Sequence, residues 1–395
     1  MTPSSILGIG VISAIGNNVE ETRRTLYTET PRLPALPQRI NTALPLPVFE
    51  IPGLVPDEAQ PGGISMQLLR IALEEALDNA KLTPAALQKL RVGVAIGTTV
   101  ACQLNNIPFY AELRAGKNPS PAPLERYIDG NPAEWIRRYY GLHGPALTIS
   151  NACSSGADAI GVAHLWLSQG MCDLVIAGGT DELNKVPLDG FNALGVCSHS
   201  PCRPFDAERS GLNLGEAAGV LILGHSEASP YCVSGFGKTA DAYHITQPDP
   251  AGTGLERAMR NAIQSADITL DDIAFINAHG TGTQANDLAE ANVFARLFPQ
   301  GIPYMSTKAL TGHTLGAAGA IEAIFTLLML EEQCAAKSIR FENTSADIPQ
   351  PPLRSHLPLH NARHAISTSL AFGGSNSALV LSLNEVASPS RAGKI

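Results

Sequence analysis

The sequence predicts a layered α/β fold built from two similar halves that share one site. Apolar, strand-like segments alternate with helical patterns along the 395 residues, as a layered α/β fold requires. The length exceeds what a single hydrophobic core usually supports. Reactive residues follow buried strands in both halves, with Cys153 in the first and His279 and His313 in the second. We therefore expect a duplicated unit, divided into residues 1–230 and 231–395.

Composition and charge narrow the classes of function. The chain is 44% hydrophobic and 16% charged and has 36 glycines, which is typical of a well-buried globular protein. Its net charge of −9 argues against general nucleic-acid binding, which needs a basic surface. The apolar runs are too short to cross a bilayer and the first residues lack a basic signal region, so we expect no membrane insertion. Seven scattered cysteines indicate reduced thiols and a cytoplasmic location.

The first half reads as strands and helices interrupted by proline-rich stretches. Thr30 to Gly63 contains eight prolines and is expected to be an extended surface excursion, and Asn118 to Pro132 is also proline-rich. Apolar periodicity predicts the regular elements. The expected strands are 6–15, 91–96, 146–150 and 173–177, the last closed by Gly178 and Gly179, and the expected helices are 19–27, 66–80 and 135–140.

The second half restarts near Tyr231 and repeats the alternation. Strands are expected at 273–278, 366–370 and 378–383, and helices from Asp287 and over 317–332. Residues 303–306 lead into Lys308 and His313. The start of the last helix is rich in glycine and alanine, including Gly316 and Gly319. Such a smooth face predicts close packing against a neighbouring element.

The stretch T-I-S-N-A-C-S-S-G around Cys153 predicts a strand, a sharp turn and a helix. Free amide N–H groups and the helix dipole favour a thiolate at a helix start, which lowers the pKa of a cysteine from about 8.5. Cys153 is therefore a candidate nucleophile. The alternative is a buried cysteine that packs as a small hydrophobe, and the neighbouring residues must decide between the two.

Three further strand-end motifs contain candidate reactive groups. They are N-A-H-G-T-G-T around His279, S-T-K-A-L-T-G-H-T-L-G-A-A-G-A-I-E with Lys308 and His313, and A-F-G-G-S-N with Phe372. A cysteine and two histidines form a recognisable nucleophile and acid–base set. Glycines beside such groups let backbone N–H donors approach a developing oxyanion. His164 lies three helical turns, about 16 Å, beyond Cys153 and cannot reach the same site.

Other motifs give weaker indications. Cys197, His199 and Cys202 crowd into one segment, but a fourth ligand is missing, so a rigid loop is favoured over a zinc site. Lys308 lacks the P-loop consensus, and the G-x-G at Gly8 lacks a third glycine. We expect neither a metal nor a cofactor.

The set of motifs resembles the β-ketoacyl-acyl-carrier-protein synthases of the KAS I/II type, which belong to the thiolase superfamily. The resemblance covers nearly the whole chain. Besides the motifs above, it includes I-L-G-I-G-V-I-S-A-I-G, C-R-P-F-D, G-L-N-L-G-E-A-A-G and D-A-Y-H. It implies a thiolase-like, five-layered αβαβα fold with internal duplication, a dimer, and an active site between the halves.

The resemblance also implies a decarboxylative Claisen condensation. Cys153 would hold an acyl group as a thioester, with its oxyanion bound by the backbone N–H groups of Cys153 and Phe372. His279 and His313 would hydrogen-bond the thioester of malonyl-acyl carrier protein and promote the loss of CO₂. The implied partner is therefore acyl carrier protein, in acyl- and malonyl-loaded forms.

Further residues have supporting roles by the same resemblance. Lys308 and Glu322 would support the site through charge and hydrogen bonds. Phe372 corresponds to the family's gating phenylalanine, and Gly373 and Gly374 would let its loop move between acylation and condensation. A buried lysine should disfavour protonation of nearby imidazoles.

Several positions depart from the usual family pattern. Leu212-Asn213-Leu214 and Glu216-Ala217-Ala218 replace the commoner F-V-M and E-G-A, and the basic run near 65–71 is reduced to Arg70. These departures favour a specialised polyene or polyketide pathway over housekeeping fatty-acid elongation. They leave both a homodimer and a heterodimer with a homologous chain-length subunit open.

Three other functions compete with this interpretation. A thiolase-like acyl-CoA acyltransferase needs a second, late cysteine, and Cys334 matches no such motif. A non-catalytic chain-length or scaffold subunit would lose the nucleophile, whereas Cys153 is present. A Cys/His hydrolase would need a third residue to orient a single histidine.

Overall fold

The computed structural model describes residues 2–57, 63–99, 107–122, 124–125, 131–226 and 229–384. Cys102, residues 123 and 126–130 of the proline-rich stretch 118–132, and the C-terminal residues from 385 lie outside the described residues. No helix within the described ranges is long and apolar enough to cross a membrane.

Helices and strands alternate along both halves of the chain. In the first half they are β1 (Ser4–Ser13), α1 (Val19–Thr25), α2 (Gly63–Ala80), α3 (Pro84–Leu87), β2 (Val92–Gly97), α4 (Ile107–Arg114), α5 (Pro132–Tyr139), β3 (Ala146–Ile149), α6 (Ser155–Ser168), β4 (Leu174–Asp181), α7 (Lys185–Ala193) and β5 (Ala217–Gly224). In the second half they are β6 (Tyr231–Ala240), α8 (Thr253–Ser265), β7 (Ile273–Asn277), α9 (Gln284–Leu297), β8 (Tyr304–Met305), α10 (Lys308–Thr311), α11 (Ala318–Glu331), β9 (Cys334–Ala335), β10 (Leu357–Pro358), β11 (His364–Ala371) and β12 (Ser375–Leu383).

The sheet order repeats between the halves, which is the internal duplication that the sequence predicts. The strands are hydrogen-bonded in the order β3-β2-β4-β5-β1-β6-β12-β11-β7-β8. We number the strands of each half in chain order and leave out the separate β9–β10 pair. The strand order of the second half is then the reverse of the strand order of the first. Parallel pairs lie at the outer edges and antiparallel pairs at the centre of both. The halves join where Ser4 and Ser5 of β1 pair with Val233 and Cys232 of β6.

Helices pack on both sides of each half-sheet and form the layers of a thiolase-like fold. Helix α2 covers β1 and β5 on one outside face, and α8 covers β6 and β12 on the other. The apolar helices α6 and α11 contact each other and lie between the halves, where α6 packs on β2 and β4 and α11 on β11 and β5. The buried core includes almost the whole of α11.

Glycines on equivalent strands allow the outer helices to approach closely. A side chain at Gly10 of β1 would lie 2.0 Å from the carbonyl oxygen of Ala72 in α2, and one at Gly237 of β6 would lie 1.9 Å from that of Ala258 in α8. The central helices use the same device, since a Cβ at Gly319 of α11 would lie 2.7 Å from Ala157 of α6. The close packing predicted for Gly319 is confirmed.

Most predicted elements are found, with three corrections. Strand β4 does not close at Gly178 and Gly179 but continues to Asp181, since glycine can remain in a strand where a neighbouring backbone comes close. Helix α9 begins three residues before Asp287, at Gln284. The proline-rich stretch from Thr30 is not wholly a surface excursion, because apolar residues around Val48 and Phe49 are buried and Phe49 donates a backbone hydrogen bond to Leu214.

The close contact at Gly237 predicts a large and specific loss of stability on substitution. Because an added methyl group would overlap the Ala258 carbonyl, we expect Gly237→Ala to lower the free energy of unfolding by about 3 kcal/mol. The matched control is Gly190→Ala in α7, where an added Cβ meets nothing within 4 Å, and it should change stability by less than about 1 kcal/mol. Urea unfolding measures both, and equal effects would contradict the packing argument.

Candidate active site

The predicted reactive residues each follow a strand and meet in one place. Cys153 follows β3, His279 follows β7 and Phe372 follows β11. Strands β7 and β11 are parallel, so His279 and Phe372 lie at the same edge of the sheet, where open α/β sheets bind ligands. Strand β3 belongs to the other half, and the contact between α6 and α11 brings Cys153 to them. A cavity of about 460 Å³ lies there, and Cys153, His279, His313 and Phe372 line it.

Hydrogen bonds hold the nucleophile turn in a strained conformation. Ala152 has φ +49°, a region that costs energy for any residue with a side chain. The hydroxyl of Ser155 donates to the Ala152 carbonyl at 2.6 Å and accepts from the Asn151 amide at 2.8 Å. Helix α6 begins at Ser155, with Ser154 as its N-cap residue. The turn therefore presents Cys153 ahead of a helix, as predicted.

The expected lowering of the Cys153 pKa is wrong for the unloaded site. Cys153 is only 4% exposed, and burial raises the pKa of its thiol to about 12, against smaller opposing effects of Lys308 and of the backbone amides of Phe372 and Cys153. Loss of hydration of the thiolate thus outweighs the helix start. The amide contacts are informative in themselves, because both N–H groups proposed for the oxyanion reach the sulfur.

A buried lysine connects the two histidine loops. The Lys308 ammonium is 1% exposed and lies 2.5 Å from the Glu322 carboxylate and 3.2 Å from Nδ1 of His279. The rings of His279 and His313 meet edge to face with centroids 5.2 Å apart. Burial, together with the Lys308 charge, holds the pKa of both imidazoles well below their usual range, so both are neutral. Burial raises the pKa of Glu322 to about 7, with Lys308 opposing.

The hydrogen-bond partners of the two histidines fix their tautomers. The Leu315 amide donates to Nδ1 of His313 at 3.2 Å, so the proton of this neutral ring is on Nε2. The Lys308 ammonium can only donate to Nδ1 of His279, which assigns the same tautomer there. Both rings thus have an Nε2–H group that can donate a hydrogen bond.

Glu290 is a site residue that the sequence analysis missed. Its carboxylate accepts from the backbone amides of His279 and Gly280 at 2.8 and 2.7 Å and from the Thr368 hydroxyl at 3.0 Å. Burial raises the pKa of Glu290 to about 7. It lies on α9, three residues after Asp287, whose carboxylate accepts from the Phe205 amide. An acidic pair on the helix face that also carries Val293, Phe294 and Leu297 was the available signal.

Asp181, at the end of β4, is a second missed residue. It accepts hydrogen bonds from the Thr98 hydroxyl at 2.7 Å and from the amides of Thr99 and Gly316 at 2.9 and 2.6 Å. It therefore ties the end of β2 to the chain just after His313. Its charge also raises the pKa of Cys153.

The loop of Phe372 packs on an aromatic ring and on a second loop. The Phe372 ring stacks on Phe191 of α7 with centroids 5.2 Å apart. The Gly373 amide donates to the Ile245 carbonyl at 2.6 Å, and the Asp241 amide donates to the Gly374 carbonyl at 2.8 Å. Gly373 and Gly374 both have positive φ, so their lack of a side chain is required here.

The remaining candidates lie away from this chemistry. His164 is buried in α6 and its Nδ1 is 2.8 Å from the Ser4 hydroxyl, which agrees with its predicted exclusion from the site. Cys202 donates its backbone amide to Asn213 and its thiol to the Lys308 carbonyl, as in the rigid loop that was favoured. In the part of the chain that the structure describes, no group of three His, Cys, Asp or Glu side chains could hold a metal ion.

The raised pKa of Cys153 predicts how the unloaded thiol reacts. Because its pKa is about 12 rather than the usual 9, only a small thiolate fraction exists at neutral pH, and this fraction rises about tenfold per pH unit. We expect the rate of Cys153 alkylation by iodoacetamide to climb steadily from pH 7 to pH 10. Mass spectrometry of the labelled Cys153 peptide measures it, and a plateau with a midpoint below pH 8 would contradict the burial argument.

Comparison with known proteins shows the family. Residues 49–228 match the family described as "Beta-ketoacyl synthase, N-terminal domain", and residues 231–342 match "Beta-ketoacyl synthase, C-terminal domain". The chain is similar to 3-oxoacyl-[acyl-carrier-protein] synthase 2 of Staphylococcus aureus, with 31% identity over 95% of this chain and 97% of the relative. It is also similar to a putative mitochondrial 3-oxoacyl-[acyl-carrier-protein] synthase of Schizosaccharomyces pombe, with 30% identity and the same coverage.

Solved structures agree with these relatives. A chain in the structure of a ketosynthase with its chain length factor from Xenorhabdus doucetiae has 29% identity and a TM-score of 0.85, covering 96% of this chain and 98% of that one. A chain in the structure of the ishigamide ketosynthase/chain length factor has 27% identity and a TM-score of 0.88, with the same coverage. Because relatives and structures align over nearly the whole length, the chain belongs to the beta-ketoacyl synthase family of condensing enzymes.

Proposed function

We propose that this condensing enzyme joins an acyl group held on Cys153 to a malonyl unit delivered by acyl carrier protein, with loss of CO₂. The observation that carries the proposal is the cavity in which Cys153, His279 and His313 meet. A nucleophile and two neutral hydrogen-bond donors at one point suit this chemistry. The presence of all three residues there also argues against a non-catalytic chain-length or scaffold subunit.

In the first half-reaction the Cys153 sulfur attacks the thioester carbonyl of the acyl donor. The new S–C bond forms as the bond to the carrier thiol breaks, and the cysteine proton leaves with the released carrier thiol. The amides of Cys153 and Phe372, which already contact the sulfur, would bind the oxyanion of the tetrahedral intermediate. Splitting the condensation into two steps in this way lowers each barrier.

In the second half-reaction malonyl-acyl carrier protein enters the cavity after the first carrier protein has left. The Nε2–H groups of His279 and His313 would hydrogen-bond its thioester carbonyl and stabilise the enolate formed as the C–C bond to CO₂ breaks. The enolate carbon attacks the acyl–Cys153 carbonyl, and the cysteine leaves as a thiolate that regains a proton. The product is a β-ketoacyl-acyl carrier protein, lengthened by two carbons.

Lys308 and Glu322 would support this chemistry without touching substrate. Burial and the ammonium charge together keep both imidazoles neutral, and the contact of the ammonium with Nδ1 of His279 directs the proton of that ring to Nε2. A histidine that became an imidazolium would still donate, but its charge would be costly in this buried site. Glu322 offsets part of the charge of Lys308.

Phe372 would act as a gate between the two half-reactions, with Gly373 and Gly374 as its hinge. The ring now stacks on Phe191 and lines the cavity next to Cys153. Moving it breaks that stack and the hydrogen bond from Gly373 to Ile245. These contacts define the closed position of the gate.

The organisation, partners and pathway are part of the same proposal. We assign residues 1–230 and 231–395 to two thiolase-like halves, and place the enzyme in the cytoplasm as a dimer. Structures with a chain length factor and, for another ketosynthase, with its acyl carrier protein support both kinds of partner. The same neighbours favour a specialised polyene or polyketide pathway, with fatty-acid synthesis as the alternative.

Removing the nucleophile should separate the condensation reaction from the decarboxylation of the malonyl unit. We expect Cys153→Gln to abolish condensation, because no thioester can form, while decarboxylation of malonyl-acyl carrier protein continues through His279 and His313. Mass spectrometry of the wild-type protein with acyl- and malonyl-acyl carrier protein should detect an acyl adduct on Cys153 and a β-ketoacyl product. If the wild-type protein gave no adduct and no product, the proposed function would be refuted.

The low pKa values of the two histidines predict that the rate of malonyl decarboxylation begins to fall only at unusually low pH, so that the acid limb of its pH profile is displaced. Their folded pKa values lie below the usual 6.5, so both rings stay neutral as pH falls through 6.5, and malonyl decarboxylation should be nearly constant from pH 8 to pH 6. Lys308→Met removes a charge that lowers both values, so its acid limb should move to higher pH. Decarboxylation by the wild type and variant, measured from pH 8 down through the fall in rate of each protein, tests the shift, and an unchanged limb in the variant would exclude the proposed role of Lys308.

A further inference from the structure

The proposed oxyanion site spans the seam between the two halves of the fold. One amide comes from Cys153, after β3, and the other from Phe372, after β11, and both reach the Cys153 sulfur. Sheet pairing does not set this distance, because β3 and β11 are not neighbours in the sheet. Other contacts must therefore hold the nucleophile turn and the Phe372 loop at a fixed separation.

An ion pair crosses this seam next to both amides. The ammonium of Lys238, on β6 of the second half, contacts the carboxylate of Asp158, in the first turn of α6. The Asp158 side chain is 4% exposed and that of Lys238 is 40% exposed. The acid is thus almost wholly buried at the start of the helix that follows Cys153, while the lysine reaches it from the solvent side.

The ion pair is the centre of a hydrogen-bond network between the halves. From the nucleophile turn, Asn151 and Ser154 donate to the Asp158 carboxylate at 2.7 and 3.0 Å. From the second half, Ser377 donates to the same carboxylate at 2.5 Å. Asp158 therefore holds both flanks of Cys153 and the start of β12 at once.

Ser375 extends the network to the Phe372 loop. It directly follows Gly374, and its hydroxyl accepts from the Lys238 ammonium at 3.0 Å and from the Asn151 side chain at 2.9 Å. The Ser154 hydroxyl lies 3.1 Å from it. Lys238 is thus the charged group of the second half that contacts both Asp158 and Ser375, alongside Asn151 and Ser154 of the nucleophile turn.

We propose that Asp158 and Lys238 are a positioning pair that sets the separation of the Cys153 and Phe372 amides around the oxyanion. The inference rests on the proposed function, because it needs acyl transfer to Cys153. Neither residue lines the cavity with Cys153 and the two histidines, so the pair acts through the backbone that it holds. Small errors in the position of such donors lower the rate of reaction more than substrate binding.

The test compares two reactions of the same sulfur. Acyl transfer from acyl-acyl carrier protein passes through an oxyanion, whereas alkylation by iodoacetamide does not. We expect Lys238→Met to lower kcat for transfer about tenfold or more, with the KM for the carrier protein and the alkylation rate changed less than about threefold. Lys238→Arg keeps the positive charge, so this variant should transfer the acyl group at close to the wild-type rate.

Arg91→Met provides the matched control, because Arg91 forms an exposed ion pair with Asp173 by the start of β2. It should leave both reactions unchanged. Normal transfer by Lys238→Met, or a parallel loss of transfer and alkylation, would overturn the positioning role. A wild-type protein that is alkylated but never acylated would instead overturn the proposed function, and the positioning role with it.

Discussion

The close contact between helices α6 and α11 is the constraint on which the site depends. Helix α6 begins just after Cys153, and α11 begins just after the His313 loop. A Cβ at Gly156 would lie 2.7 Å from the Gly316 carbonyl, so the helix starts can meet only because Gly156 lacks a side chain. Since the two helices belong to different halves, this packing, rather than either half alone, brings the nucleophile to the histidines.

Loss of hydration determines the charge states of the titratable groups that are buried beside that helix contact. The site is buried and holds one ammonium, Lys308, so every neighbouring group is biased toward its neutral form or toward a partner for that charge. His279 and His313 are held neutral, and the thiol of Cys153 stays protonated in spite of its helix start. The acyl thioester of the working enzyme is itself neutral. A buried site therefore suits the loaded state, and its hydrogen-bond donors can stabilise charge that develops during reaction.

Duplication gives the two halves the same frame but different tasks. In each half the outer helix packs on a glycine-containing strand, Gly10 in one and Gly237 in the other, through nearly identical contacts. The reactive groups have no such correspondence, since the cysteine comes from one half and both histidines from the other. A site divided in this way needs contacts across the seam, and the buried carboxylate of Asp158, which accepts from both halves, is suited to provide them.

The alternation of strands and helices, the two-part organisation and the residues that line the cavity could all be predicted from the sequence, because hydrophobic periodicity and strand-end motifs are local. Predicted boundaries were wrong where local rules compete with packing, as in β4, which continues through Gly178 and Gly179 because neighbouring backbone lies against both, β5 at Gly178 and the Gly316 turn at Gly179. The direction of the Cys153 pKa shift, the tautomers of His279 and His313, and the contacts of Glu290 and Asp181 could not be predicted in this way. These depend on burial and on partners distant in sequence, which no single stretch of the chain can specify.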